Sequence, residues 1–360
     1  MAVFIARVDK GIRNSLERII HRFLNPDDLN RGVFLKPNIV FPVKDRSGEI
    51  TRRVVVEQII LILRAMKRDV DIVIGEGVAA GADAQENFKI SGYTDLAKKL
   101  GVLLFDLESV ERTEVDWKYG KLSLPVMAFN RIYISLPVLK LNSAAGISGA
   151  MKNQKGLVCS ALKKQFHRMG LHEQLVELNK IIQPYLTIVD CARYFKGPLF
   201  AAGTGTVELD SYIINLLGIA SPENVRLARE QFSIPKQITA EGDAPHHPRS
   251  RHQNANRSFR RFLRLRIWAG AGACSMCRRR LTEIKSPTVL LSRSGLLTAL
   301  KLISYMVTGA DIIVGSDAQS VRGSRRLICF GDCTRLIAQD GGYIYIPGCP
   351  PHNKDIAGTK

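Results

Sequence analysis

Five of the seven cysteines fall between residues 274 and 349, a clustering that points to a metal centre. Cys274-Ser275-Met276-Cys277 is a C-x-x-C entered through Gly270, Gly272 and Ala273. Two thiolates at that spacing reach one centre while the small residues keep the backbone close. Cys333 lies in Gly331-Asp332-Cys333-Thr334, after an expected strand and at an expected helix start, where backbone N–H groups favour a thiolate or an anionic cluster. Cys349 lies in Pro347-Gly348-Cys349-Pro350-Pro351, and cysteine followed by proline also ends cluster-binding runs in ferredoxins. Cys274, Cys277, Cys333 and Cys349 therefore read as ligands of a 4Fe–4S cluster. Structural zinc is the alternative, although the usual second C-x-x-C is missing. A redox dithiol of Cys274 and Cys277 and a set of unrelated core cysteines also remain open. Cys329, inside the apolar run Leu327–Phe330, competes with Cys333 as third ligand but reads better as a buried, inert cysteine.

A second constellation is polar and lies earlier in the chain. Lys140 and Asn142 follow an expected strand, and ligands of open α/β sheets sit beyond the carboxyl ends of strands. Lys36 and Asn38, at the end of the run Val33-Phe34-Leu35, have the same placement. Gly146 to Gly156 contains Ser148, Lys152, Asn153 and Lys155, a glycine-punctuated stretch able to cradle carboxylate or phosphate. The Walker order G-x-x-x-x-G-K-[ST] is missing from it. His167 follows Lys163 and Lys164 on an expected helix, Asp190 ends a buried strand, and Asp210 follows Gly203-Thr204-Gly205. Lys140, Lys152, His167 and Asp190 are the candidates for moving protons. Lys36, Asn38, Asn142 and Asn153 are candidates for holding a small anionic ligand. Taken singly, each lysine reads equally well as a solvated surface charge, Asp190 as a turn cap and His167 as a surface helix residue.

The elements that must position these groups alternate in type. Short β-branched runs are expected as strands at 33–35, 71–74, 102–105, 131–136 and 186–189. Apolar helical faces are expected at 54–68, 86–100, 173–182 and 211–217. This is an α/β pattern, a mixed and largely parallel sheet with flanking helices. Beyond Gly242 the pattern stops: Asp243 to Arg266 is rich in His, Pro, Arg and Asn without a strand period. A second, smaller α/β pattern follows, with strands at 288–291, 311–315, 327–330 and 343–346 and a helix at 296–306. The expected organisation is an α/β domain over 1–242, a basic linker or insertion over 243–268, and a cysteine-rich cluster domain over 269–360.

Of 360 residues, 46% are hydrophobic and 24% charged, an ordinary globular composition. No uncharged apolar run reaches the roughly 18–20 residues that span a bilayer. The first residues lack the order of a secretory signal, so a cytoplasmic protein without a membrane partner is expected. The formal net charge is +19. From His246 to Lys285 there are eleven Lys/Arg against one acid, Glu283, so +10 of that charge is one local feature.

Lys36-Pro37-Asn38, Gly75-Glu76-Gly77, Leu136-Pro137 through Lys140, Met151-Lys152-Asn153 with Gly156, His167, Ile188-Val189-Asp190, Gly197-Pro198 and Gly203 through Asp210 occur in one order over roughly residues 30–235. In these segments the chain resembles the family known as domain of unknown function 362, whose members are often labelled iron–sulfur centre proteins. The cysteine segments around Cys333 and Cys349 look like the cluster region attached in some members. The resemblance implies an α/β first region, an iron–sulfur centre, and a common site lined by Lys140, Lys152, Asn153, His167 and Asp190. It also implies a distant likeness to nickel-dependent lactate racemases. Asn142 stands where family members usually carry a histidine, and Arg249 to Arg266 matches no family pattern, as an insertion or a shifted reading frame would.

Three functions compete. The leading one is an iron–sulfur protein in redox metabolism with a partner protein for electrons. The second is a non-redox enzyme acting on a small organic acid, with a cluster or zinc holding the C-terminal region together. The third is a nucleic-acid binder, because Arg257, Phe259, Arg260, Arg261, Phe262, Arg264, Arg266 and Trp268 interleave cations with aromatics. No recognition fold accompanies them, so no specific nucleic acid is expected.

Overall fold

Val33–Pro37 (β2), Ile72–Glu76 (β3), Ile132–Leu136 (β7) and Leu186–Asp190 (β10) are buried along their whole length, as strands covered on both faces must be. They belong to an eight-stranded sheet in a computed structural model of the chain. The structure describes residues 3–45, 48–79, 82–142, 146–168, 170–219, 221–248, 258–262, 264–269, 293–314, 326–331 and 334–348. Two compact units result. One comprises Met1–Lys140, Ile147–Lys163 and His172–Gln253, the other Leu141–Gly146, Lys164–Leu171 and Asn254–Lys360.

In the first unit β1 is Val3–Arg7, β4 Leu103–Asp106, β11 Leu199–Gly203 and β12 Ala240–Gly242. The sheet order is β12-β1-β11-β10-β7-β2-β3-β4. From β10 to β4 all neighbours are parallel, while β11 runs against both β10 and β1. A hairpin of Arg112–Trp117 (β5) and Gly120–Pro125 (β6) stands apart from that sheet.

Helices α1 (Ile12–Phe23), α2 (Arg53–Met66), α3 (Ala84–Ser91) and α4 (Tyr93–Leu100) pack apolar residues such as Leu16, Ile59, Ile60, Phe88 and Leu96 onto one sheet face, against Leu35, Ile74, Ile134 and Ile188. The continuous helix expected over 86–100 is broken at Gly92. That residue adopts φ 77° and closes α3 as a left-handed C-cap. On the other face Phe34 stacks on Tyr133, with ring centroids 5.1 Å apart, and the Tyr133 hydroxyl donates to Gln154 Oε1 at 2.7 Å.

The second unit holds a five-stranded sheet of Ser258–Phe262 (β13), Leu265–Ala269 (β14), Ala310–Val314 (β15), Leu327–Phe330 (β16) and Ile344–Ile346 (β17). β13 and β14 form an antiparallel hairpin, and β14 to β17 are parallel. The basic stretch without an evident strand period thus contributes two strands. Its arginines mask the pattern, because Arg266 extends from β14 to the buried Asp311 carboxylate at 2.6 Å. Helix Arg293–Thr308 covers this sheet with Leu302 and Tyr305. The strand expected at 288–291 lies outside the described residues.

Candidate functional site

The parallel strands of the first sheet deliver polar groups to one edge. The chain proceeds from β2 outward through β3 to β4 and then returns to β7 on the other side of β2, so the β2–β7 boundary is a topological switch point. Open α/β sheets hold ligands at such a point, outside the carboxyl ends of the strands. Lys36, Asn38, Glu76, Lys140 and Asp190 all occupy ends or exits of β2, β3, β7 and β10.

Lys36 is fully buried and its Nζ lies 2.7 Å from Glu76 Oε1. It also donates to the Pro37 carbonyl at 3.3 Å and Asn153 Oδ1 at 3.4 Å, which uses its three protons. The Glu76 carboxylate accepts further from the N–H groups of Gly77 and Ile39, each at 2.9 Å. Burial lowers the Lys36 pKa, and Glu76 opposes the shift by charge and hydrogen bond. Gly156 follows from this pair, and Gly77 follows from Gly156. A Cβ at Gly156 would collide with Glu76 Oε1 and Lys36 Nζ, and one at Gly77 with the Gly156 carbonyl. Asn153, on the short turn Ala150–Asn153 (α6), ties the pair to the edge, accepting from Asn38 Nδ2 at 3.3 Å and donating to Ser135 Oγ at 2.9 Å.

Lys140 stands over this buried layer. Its Nζ donates to Asn38 Oδ1 and to the Glu49 carbonyl, both at 2.7 Å, and its third proton has no partner among the described residues. Burial lowers its pKa to about 8, with Glu49 and Glu76 opposing and Arg193 reinforcing the shift. The segment 49–52 runs past three strand ends. Thr51 Oγ1 accepts from Asn38 N at 2.8 Å and donates to the Leu136 carbonyl at 2.5 Å, while Arg52 Nε reaches Asp190 Oδ2 at 2.7 Å. Arg52 Nη2 is buried without a hydrogen-bond partner among the described residues. Asp190 also accepts from Ala192 N at 3.1 Å, so both its oxygens are engaged.

Lys163, on helix α7 (Ser160–Arg168), is 5% exposed; its Nζ donates to the Val78 carbonyl at 3.0 Å, and burial lowers its pKa to about 8. Glu108 caps that helix through Ser160 N at 2.9 Å.

The glycine-punctuated stretch is not an open anion cradle. The N–H groups of Ala150 and Met151 donate to Asp210 Oδ1 and Oδ2 at 2.7 and 3.0 Å, and a Cβ at Gly149 would strike that carboxylate. Desolvation raises the Asp210 pKa to about 7 against those two bonds. Lys152 is half-buried on α6. His167 lies on α7, Asn142 on the short strand Lys140–Asn142, and both residues belong to the second unit; neither side chain is among those described. Cys274, Cys277, Cys333 and Cys349 lie outside the described residues, and Cys329 is fully buried in β16.

The sequence reading thus named Lys36, Asn38, Lys140, Asn153 and Asp190, which the sheet brings to one edge. It missed Arg52, Lys163 and the counter-ion Glu76. The signal for Glu76 is present, a lone carboxylate between two glycines at the end of a buried strand. Arg52 and Lys163 carry no comparable local mark.

Fold and edge together define an α/β protein with a polar site at the switch point of a mostly parallel sheet. The chain belongs to the family described as domain of unknown function (DUF362), whose model matches residues 33–214. No curated protein matches the sequence. Among solved structures it is similar to the lactate racemase apoprotein from Thermoanaerobacterium thermosaccharolyticum, at 15% identity and TM-score 0.38 over 56% of this chain. The match spans 54% of that protein, about half its length. A Thermotoga maritima protein solved by structural genomics matches at 11% identity and TM-score 0.39, over 97% of this chain and 80% of that one.

Proposed function

We propose that this is an iron–sulfur redox protein, in which Cys274, Cys277, Cys333 and Cys349 bind a 4Fe–4S cluster and the polar edge of the first sheet binds a small organic anion. The observation that supports the cluster is the edge from which the cysteine-bearing segments depart. β14, β16 and β17 point the same way, and the chain leaves them at Ala269, Phe330 and Ile346, all at one end of the second sheet. Cys274, Cys333 and Cys349 follow those residues by five, three and three positions. The Gly331 N–H donates to the Ile346 carbonyl at 2.9 Å, tying two of the exits together. Cys329 suits no ligand role. It packs in the sheet with Ile313, Leu327 and Ala338, and burial pushes its thiol up to about 11, away from the thiolate that iron requires. A bound cluster supplies one-electron transfer to a partner protein.

Protein purified anaerobically should contain about four iron and four sulfide per chain. Cys277→Ser and Cys349→Ser should lose that iron, and Cys329→Ala should keep it. Stoichiometric zinc without sulfide overturns the cluster.

A non-redox enzyme acting on a small organic acid is the second reading, and Lys140 favours it. An amine that titrates at about 8, with one proton unengaged among the described residues, both holds a carboxylate and moves a proton near neutrality. Arg52 Nη2 offers a second donor to the same class of ligand. Thermal-shift titration with oxalate, acetate and inorganic phosphate tests this site. Affinity should fall as pH rises through about 8 and vanish in Lys140→Met, whereas Lys140→Arg should bind through the same range. Turnover that survives removal of iron from folded protein selects this reading over the first.

A further inference from the structure

Helix Arg293–Thr308 seats one face on the second sheet and leaves the opposite face bare. Leu302 and Tyr305 are buried with Ile312, Val314, Ile328 and Phe330. Leu296, Leu300, Ile303 and Val307 recur at helical spacing within an arc of about 60°. They are 57, 56, 55 and 63% exposed, and Leu297 beside them is 58% exposed. Among the described residues no other helix or strand exposes more than one large hydrophobic side chain. Single exposed apolar residues are normal on a surface, but five on one helix face form a patch of the kind that marks an interaction site.

We propose that this face is an interface between two copies of the chain, with the two helices packed antiparallel about a two-fold axis. The axis falls between Leu300 and Ile303. It sets Leu300 against Ile303 of the other copy and Leu296 against Val307, so the patch is complementary to itself, as an isologous contact demands. The helix carries no Asp or Glu, and its charges are Arg293 and Lys301. Lys301 Nζ lies 5.6 Å over the ring of Tyr305, which keeps that ammonium on the sheet side. Packed antiparallel about this axis, the two copies keep their Arg293 residues at opposite ends of the contact, so like charges do not meet inside the stripe. Five aliphatic side chains, each with roughly 100 Å² open to water, bury about 500 Å² per copy. The resulting total of about 1,000 Å² is near the lower limit for a specific interface.

Sedimentation of the full chain at micromolar concentration, in about 200 mM salt to suppress charge effects, should give twice the chain mass of 40.0 kDa. Leu300→Glu and Ile303→Glu each place a carboxylate against an apolar side chain of the other copy and should sediment as monomers. Both side chains are more than half exposed, so circular dichroism and the thermal midpoint should match the wild-type monomer fraction. Leu103→Glu, at a residue 62% exposed in the first unit, should remain dimeric. A wild-type monomer at these concentrations, a dimer in Leu300→Glu, or loss of the dimer in Leu103→Glu overturns the interface. A monomeric wild type that binds vesicles of anionic lipid also overturns it, in favour of a membrane surface.

Discussion

Lys36 and Glu76 are 0 and 1% exposed, so whatever the edge above them does rests on two desolvated charges. A buried pair of this kind adds little over an apolar substitute but is costly to break, because the survivor is left uncompensated. Lys36→Met should lose about 3–5 kcal/mol of stability, seen as a lower denaturant midpoint at unchanged slope. Adding Glu76→Gln should restore part of that loss; a single variant as stable as wild type would remove the pair from the account. Asp210 makes a different prediction. Its folded pKa of about 7 lies above the ordinary 3.8, so between those values the folded state binds a proton that the unfolded state has released. That contribution is present below about pH 4 and is lost as pH rises through about 7. Lys140 and Lys163 act in the other sense, since folded values of about 8 lie below 10.5 and their contribution grows from about pH 8 to 10.5. Asp210→Asn should flatten the decline between pH 4 and 7, whatever its effect on absolute stability. A variant with the wild-type slope there would assign the titration to another group. Lys140, Asn38 and Asp190 were legible in the sequence because each polar residue directly follows or ends an apolar β run. Arg52 and Lys163 were not, because one cation of a basic pair (Arg52-Arg53, Lys163-Lys164) beside or within a helix looks solvated until tertiary contacts bury it.

Helix α2 and the strands β2, β3, β4, β7 and β10 carry their own pattern, and their observed limits lie within two residues of those read from periodicity. What periodicity could not supply is the break at Gly92. The apolar face continues from Phe88 through Tyr93 and Leu96, so nothing in the spacing marks a boundary. The glycine itself is the mark, and it acts through its backbone and its lack of a Cβ. A side chain there meets the Arg53 guanidinium, with Nη1 at 2.5 Å, in addition to the left-handed φ. Gly92→Ala should cost about 1–2 kcal/mol, read as a lower thermal midpoint. Because the strand ends do not move, oxalate or phosphate binding by the folded variant should be unchanged. A thermal midpoint equal to wild type would mean that the helix can run through. The β13–β14 hairpin was hidden for the opposite reason: Arg260, Arg261 and Arg266 occupy positions that a strand usually gives to apolar or small polar residues. Trp268 and Arg266 identify the register only once Asp311 is seen to accept from both, at 3.0 and 2.6 Å.

Across the whole molecule the +19 charge gives any polyanion a long-range attraction, and the question is whether the chain also recognises one. Arg266, one of the cations that interleave with aromatics in the sequence, has its charge paired with the buried Asp311 carboxylate. Trp268 Nε1 is bonded to the same carboxylate. The stacking-and-charge pattern of a single-strand binder is therefore partly consumed by the second sheet itself. Arg264 remains exposed, between the two strands of the hairpin. Attraction of this kind releases counterions and weakens steeply between about 50 and 200 mM salt. The chain should retain DNA or RNA at the low end of that range, with little preference for sequence, and release it at the high end. Substituting Arg260, Arg261 and Arg264 together by Ser should abolish the retention, while iron content and small-anion binding stay as in wild type. The substitution leaves Arg266 and Asp311 in place, so the hairpin keeps its anchor and a loss of retention reports on charge, not on unfolding. A sequence-selective complex that persists at 200 mM salt would instead make nucleic-acid recognition the first function to pursue.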